Sequence, residues 1–308
     1  MALMENKKGL MLVFFTAIIS GFSIFVNSFG VKEFDSSLFT FLKNSVVALL
    51  LFAIIIGFGS FHELKKLKRK QWLQLVLIGL IGGSIPFLLF FKGLQMTTGT
   101  TSAFMHKTLF VFAAVFAVIF LREKLTKGFF IGAMLLMIGN YLLIKPDFNF
   151  GIAHLLVVIA VVFWAAENVI AKHVLEELSG TVVAFGRMFF GSIFMLVFLA
   201  ATNKLQLASS LNSSHFMWIG ITAVFLLLYN LTFYSGLKEI KATTAACILS
   251  IGSPITTLLG FIFSGKTISL SQAFGMLLIA TGIISIIWLH SILKYFANIL
   301  KVRTYGRN

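Results

Sequence analysis

Six ionisable side chains stand inside otherwise apolar stretches of this chain: Lys43, His106, Lys107, His154, Glu167 and Arg187. A charge in hydrocarbon costs at least about 2.5–3.5 kcal/mol near a helix centre, so each implies a partner, a pathway or a bound group. Glu167 is the one carboxylate well inside such a stretch, and Arg187 lies at comparable depth in the next. At a rise of 1.5 Å per residue both sit about 6–10 Å from the inner ends of their helices, whereas Lys43 and Lys107 sit about 10–14 Å from the outer ends. The chemistry open to Glu167 and Arg187 is a gate or coupling pair, in which the carboxylate exchanges a proton, a solute ammonium group or the guanidinium. The alternative is a permanent ion pair between adjacent helices. Trp164 shares the face of Glu167 three residues on, as an aromatic wall for a cation or as a packing anchor. Nothing between Thr100 and Leu121 neutralises Lys107, which with Thr100, Thr101, Ser102 and Thr108 suits attraction of a carboxylate or phosphate. Its alternative is a lysine that snorkels to the headgroups. His106 is a packing or cavity histidine, and His154 lies near an outer helix end.

Uncharged polar groups extend the set. Asn44, Asn140, Asn168, Tyr229, Asn230 and Tyr234 lie within apolar segments, and Ser250 and Ser253 flank Pro254. Proline has no N–H, so Pro254 frees a carbonyl near Ser250 and predicts a kinked helix there. The candidate solute-contacting residues are therefore Lys43, His106, Lys107, Trp164, Glu167, Asn168, Arg187, Tyr229, Asn230, Tyr234, Ser250, Ser253 and Pro254. The histidines and Glu167 come from separate segments without the i, i+3 or i, i+4 spacing of a helical metal site, and no nucleophile–base triad is legible. No catalytic residue, metal or cofactor is expected.

Composition dictates what must hold these groups. With 59% hydrophobic and 11% charged residues, the chain is far from the roughly 25% charge of soluble domains. A mean hydropathy of +1.00 points the same way. The one cysteine, Cys247, excludes an internal disulfide. A net charge of +15 would suggest nucleic acid in a soluble protein, but here the basic residues form short runs between apolar stretches, so the bilayer is the expected partner. Apolar segments span 10–29, 36–59, 72–91, 98–121, 128–144, 151–171, 181–202, 216–237, 242–264 and 270–290. They are uniformly apolar rather than alternating, which favours helices over a barrel. Lys7 and Lys8 open a run that continues to Phe29, too long for a cleaved signal. Placing the termini in the cytoplasm puts seventeen basic residues there, from Lys7 to Arg307, against Lys32, Lys92, Lys145, Lys204 and Lys266 outside. That imbalance fits the positive-inside rule and an even number of spans in a cell membrane.

An internal repeat divides the chain. Gly132 to Gly139 matches Gly275 to Gly282, and Thr100-Thr101-Ser102-Ala103 matches Thr243-Thr244-Ala245-Ala246, at an offset of 143. Phe41-Leu42-Lys43 matches Phe185-Gly186-Arg187 one residue further out of register, and Gly93-Leu94 corresponds to Gly236-Leu237. Five spans per copy is odd, so the second copy must enter the membrane from the opposite side. The expected fold is an all-α polytopic membrane protein of ten transmembrane helices in two inverted-topology five-helix repeats, 1–147 and 148–292, with a basic cytoplasmic tail at 293–308. The glycine pairs read as close-packing seams.

The tandem halves stand beside Phe163-Trp164-Ala165-Ala166-Glu167-Asn168-Val169-Ile170-Ala171-Lys172, Ser253-Pro254, Leu121-Arg122-Glu123-Lys124-Leu125 and the two Gly-x₆-Gly helices. In these features the chain resembles the drug/metabolite transporter superfamily, in particular its ten-helix EamA-type members, over nearly its whole length. Departures are Phe110 or Val111 where proline is common, Lys266-Thr267 in place of an acidic turn, and Lys107 itself. The resemblance implies a solute carrier or exporter that works without ATP, from a superfamily that handles amino acids, amines, sugars and nucleotide derivatives. The chain has no Gly-x₄-Gly-Lys-Ser/Thr loop, in keeping with that. By resemblance, Lys43 and Arg187 stand where an arginine near the start of the second helix is common. The expectation is a secondary transporter of a small polar metabolite, an amino acid or related zwitterion, coupled to protons or exchange, with its carboxylate at Lys107 and its ammonium at Glu167. Two rivals stand beside it: an exporter of organic cations or drugs leaning on Glu167, Trp164 and the 36 phenylalanines, and a non-transporting lipid-organising protein. An enzyme is not expected.

Overall fold

The computed structural model describes residues 6–30, 35–96, 99–146 and 151–305. Lys32 and Arg307 lie outside them, as do the side chains of Thr100, Lys294, Lys301 and Arg303. Among the described residues all regular structure is helical, and 10 stretches are long and apolar enough to cross a membrane. Their ends agree with the hydropathy reading to within about three residues. The first half comprises α1 (Lys7–Gly30), α2 (Ser36–Gly57), a short α3 (Phe61–Lys65), a broken third crossing of α4 (Arg69–Gly83) and α5 (Ile85–Met96), a broken fourth of α6 (Gly99–Lys107) and α7 (Leu109–Leu121), and α8 (Lys127–Ile144). The second comprises α9 (Ile152–Val174), α10 (Gly180–Ala201), α11 (Ser213–Glu239), a ninth crossing of α12 (Ala242–Ile248), a 3-10 turn at Leu249–Ile251 and α13 (Gly252–Ser264), and finally α14 (Leu270–Tyr305). The stretch expected as a separate tail is helical through Tyr305, because no glycine or proline interrupts residues 283–305.

The repeat is visible in local chemistry at the same offset of 143. Arg122 and Gly265 both take left-handed backbone after α7 and α13, at φ 55° and 61°. Each turn then closes with the same bond, Glu123 N to Ala117 O at 3.1 Å and Lys266 N to Gly260 O at 3.2 Å. The next helices begin on hydroxyl caps: Thr126 Oγ1 accepts from Phe129 N at 3.2 Å and Ser269 Oγ from Gln272 N at 3.3 Å. The fourth crossing breaks at Thr108 and the ninth at Ile251, again equivalent positions, although only the second half has the nearby proline.

The glycine seams fix how α8 and α14 pack. A side-chain carbon at Gly132 would lie 2.4 Å from Gly282 O, and one at Gly139 would lie 2.8 Å from Gly275 O. Gly132 therefore faces the later glycine and Gly139 the earlier one, so these equivalent helices run antiparallel, as inverted halves require. Gly132→Val would force two backbones apart and is expected to cost about 1–3 kcal/mol of stability in a denaturation series in detergent.

One ion pair ties the halves at the face opposite the termini. Lys204 Nζ lies 2.6 Å from Asp35 Oδ2, while Asp35 Oδ1 caps α2 by accepting from Ser37 N and Leu38 N. Partial burial pushes the Asp35 carboxyl up, but the Lys204 hydrogen bond, the Leu38 amide and the lysine charge outweigh it and hold it below its usual value of 3.8. The stabilisation is complete above that value and is lost as pH falls through the lower folded one. Lys204→Met is expected to lower the unfolding midpoint near neutrality by the equivalent of less than about 1 kcal/mol, and the difference should vanish in strong acid.

Candidate functional site

The site is built around a break in the third crossing. Helix α4 ends at Gly83, Ser84 leaves helical geometry at φ −136°, ψ −72°, and Pro86 follows in the first turn of α5. Pro86 has no N–H for the carbonyl four residues earlier, that of Gly82. Two other helices supply the missing donors: Trp164 Nε1 of α9 donates to Gly82 O at 3.2 Å and Arg187 Nη2 of α10 donates to it at 3.1 Å. The adjacent Gly83 O accepts from Asn44 Nδ2 of α2 at 3.1 Å. Helix breaks at membrane depth need such substitutes, and here they bring indole, guanidinium and amide to one point.

Glu167 lies against the same glycine. A side-chain carbon at Gly82 would lie 2.4 Å from Glu167 Cγ and 3.2 Å from Arg187 Nε, so any other residue at 82 would displace the charged pair. Glu167 and Arg187 do not bond directly. Tyr234 of α11 donates its hydroxyl to Glu167 Oε1 at 2.6 Å, and Arg187 is electrostatically coupled to both. Glu167 is 1% exposed, Tyr234 0% and Arg187 8%. Arg187 Nε and Asn44 Oδ1 are buried without a hydrogen-bond partner among the described residues. A buried donor and a buried acceptor left open beside one glycine pair are what a polar guest needs.

An aromatic box adjoins this network. The Trp164 ring meets Phe87 at 5.2 Å, Phe90 at 5.6 Å and His106 at 5.2 Å between centroids. His106 also meets Phe90 edge-on at 5.7 Å, so its ring packs in the box. Lys107, the next residue, is half-buried and makes no hydrogen bond or ion pair with a described residue.

The remaining candidates are placed as follows. Lys43 is half-buried, with Nζ 3.5 Å from Asn27 Oδ1 and 4.8 Å from the centre of the Phe39 ring. Asn230 donates to Leu226 O at 2.7 Å within its own helix, and Tyr229 stacks on Phe233 at 5.5 Å. Asn168 and Ser250 are buried on α9 and in the 3-10 turn of the ninth crossing. Ser253 Oγ is buried without a hydrogen-bond partner among the described residues beside Pro254, where α13 begins. His154 is buried at the start of α9. The structure thus joins Glu167, Arg187, Tyr234 and Trp164 in one cluster, sets His106 and Lys107 at its edge, and leaves Lys43 in a separate setting on α1 and α2.

Several residues escaped the sequence reading. Gly82 and Pro86 carried a legible signal, since the argument that singles out Pro254 applies equally four residues after Gly82. Glu123 carried none by itself. At the face bearing the termini its carboxylate accepts from Ala242 N at 2.7 Å, Thr243 N at 3.2 Å and Thr243 Oγ1 at 2.7 Å, capping α12 of the other half. Glu63 Oε1 likewise accepts from Ser179 N at 2.7 Å, and Gln71 Nε2 donates to Glu177 Oε2 at 2.7 Å. Carboxylates of the first half thus clasp helix starts of the second.

A ten-span helical bundle with ionic and aromatic groups gathered at a helix break defines a polytopic membrane protein. The EamA-like transporter family model matches residues 7–145 and again 151–288, and the chain belongs to that family. It is a multi-pass membrane transporter. An uncharacterized transporter of Clostridium kluyveri is 25% identical over 95% of this chain and 94% of that protein. The riboflavin transporter ImpX of Fusobacterium nucleatum is 25% identical over 65% of this chain and 71% of its own. A solved crystal structure covers 92% of this chain and 97% of its own at a TM-score of 0.74 and 17% identity, which speaks to the fold.

Proposed function

We propose that this protein is a secondary active transporter that moves a small polar metabolite, an amino acid or related zwitterion, by alternating access between its two five-helix halves. The observation that carries the reading is the buried Glu167–Tyr234–Gly82–Arg187 cluster, which joins α4 of the first half to three helices of the second. Buried charges of the second half that seat on a backbone carbonyl of the first tie any relative motion of those halves to the occupancy of the site. In this reading the solute ammonium competes with Tyr234 for Glu167, and the carboxylate meets Lys107, which has no described counter-charge. In this reading the hydrogen bonds of Glu63 and Glu123 hold the two halves together at the face bearing the termini, which the positive-inside rule would put in the cytoplasm. Exchange or proton coupling would act through Glu167. No catalytic step is assigned to any residue.

The organic-cation alternative is favoured by one observation, the Phe87, Phe90 and Trp164 rings beside Glu167. The test separates the two. Lys107→Met is expected to abolish uptake of carboxylate-bearing solutes into proteoliposomes and to leave organic cations unaffected; unchanged uptake of carboxylates would remove Lys107 from the site. Among the relatives one is named for riboflavin, so solutes other than amino acids belong in the same panel.

A further inference from the structure

The two halves treat equivalent cations differently. Lys43 and Arg187 are repeat mates at an offset of 144. The first helix of each half follows the same offset, as its packing shows. A side-chain carbon at Gly93 would meet Ala153 O and Val157 Cγ2, whereas one at the equivalent Gly236 would meet Gly9 O and Val13 Cγ2. Ala153 and Val157 thus correspond to Gly9 and Val13, and Glu167 corresponds to Ser23.

Ser23 is linked to Lys43 through Asn27. Asn27 Nδ2 donates to Ser23 Oγ at 3.0 Å and to Ser23 O at 2.7 Å, and Asn27 Oδ1 is the acceptor facing Lys43 Nζ at 3.5 Å. The second half therefore answers its cation with a carboxylate and a tyrosine, while the first answers its own with the Asn27 amide, which is held in turn by Ser23. The Phe39 ring at 4.8 Å adds a weak attraction and no negative charge. Lys43 makes no ion pair with a described residue, and Asp35, the cap of the same helix, is committed to Lys204. A lysine well inside a span without a counter-charge is costly unless a guest supplies one.

We propose that Lys43, with Asn27 and Ser23, is an anion-binding position, in which a carboxylate or phosphate group of the solute takes the place that Glu167 holds beside Arg187. This rests on the carrier reading and sharpens its substrate class. With Lys107 receiving one anionic group and Lys43 a second, the preferred solute carries two, as an acidic amino acid or a dicarboxylic acid does. A phosphodiester headgroup has the same chemistry, so the test includes a lipid arm.

Detergent-purified protein is titrated with L-glutamate, L-glutamine, glutarate and glutaramide, and separately with phosphatidylglycerol in mixed micelles, while thermal unfolding is followed. The expected result is that the two dicarboxylates, L-glutamate and glutarate, stabilise the wild type and glutaramide does not. Lys43→Met and Ser23→Glu should each weaken glutarate by roughly 30-fold or more, with Lys43→Arg retaining most of the affinity. Ser23→Glu is the decisive variant, because it supplies the missing carboxylate internally and should leave the unliganded midpoint at or above that of the wild type. Unchanged glutarate affinity in Ser23→Glu, or equal binding of glutaramide by the wild type, overturns the proposal. A phosphatidylglycerol response that is lost in Ser23→Glu and is not displaced by glutarate assigns the position to a headgroup and overturns the solute assignment. Wild-type protein that ignores all four solutes but exchanges another class across liposomes refutes the anion position alone; absence of exchange for every solute refutes the carrier reading.

Discussion

Glu167→Ala is expected to lower the stability of the protein by about 3–5 kcal/mol and to abolish transport, the largest single-residue effect in the bundle. The carboxylate is 1% exposed, it accepts the Tyr234 hydroxyl at 2.6 Å, and it is the counter-charge for a guanidinium that is itself 8% exposed. Removing it leaves Arg187 with its hydrogen bond to Gly82 O, no carboxylate beside it and an Nε that has no hydrogen-bond partner among the described residues. A double-mutant cycle separates the static role from the moving one. Glu167→Gln combined with Arg187→Met should recover most of the stability, since neither charge is then left unpaired, while transport stays absent. Recovery of transport in the double variant would show that the pair only holds helices together. Tyr234→Phe probes the link between them and should cost less, about 1–2 kcal/mol for one hydrogen bond to a charged group.

Gly82→Leu is expected to be nearly as damaging, for a geometric reason. Even a first side-chain carbon would lie 2.4 Å from Glu167 Cγ and 3.0 Å from its Cδ, so the carboxylate must leave Tyr234 or α4 must leave α9. Overpacking of this kind costs about 1–3 kcal/mol, and for the longer side chain more. Transport should fall at least tenfold even for Gly82→Ala, because that change displaces the cluster directly. Gly220→Ala is the matched control. It lies within α11 with nothing inside 4 Å of an added carbon, and helix propensity predicts a neutral or stabilising effect of up to about 1 kcal/mol. Equal losses at both glycines would mean that the close approach at Gly82 carries no function.

Much of this architecture was readable because lipid imposes few solutions on a chain. Apolar length gave the crossings, and the Gly132, Gly139, Gly275 and Gly282 spacing gave a seam whose partners the structure identifies as each other. The shared face of Trp164 and Glu167 follows from helical geometry alone, and both side chains converge on Gly82. The sequence could not pair residues across helices. By residue type Tyr234 and Asn230 are alike, yet the Tyr234 hydroxyl sits on Glu167 while Asn230 donates to its own helix and to the Met188 sulfur. The fourth crossing breaks at Thr108 without a proline, where Thr108 Oγ1 accepts nothing from α7 and instead donates to Met105 O at 2.7 Å, a local competition with the helix that hydropathy does not register. Glu123 read as part of a charged turn, yet it caps a helix 119 residues away.

The conformation has one face clasped by carboxylates and the ionic cluster buried, and alternating access requires a second conformation in which that clasp is open. Counterflow in ATP-free proteoliposomes tests the central claim most directly. Vesicles preloaded with the unlabelled solute that best stabilises the purified protein are diluted into its labelled form. The account predicts transient accumulation of label above the external concentration, lost in Lys107→Met and in Glu167→Ala vesicles matched for folded protein. Label uptake no greater than in protein-free vesicles, for a solute that demonstrably binds, would contradict it.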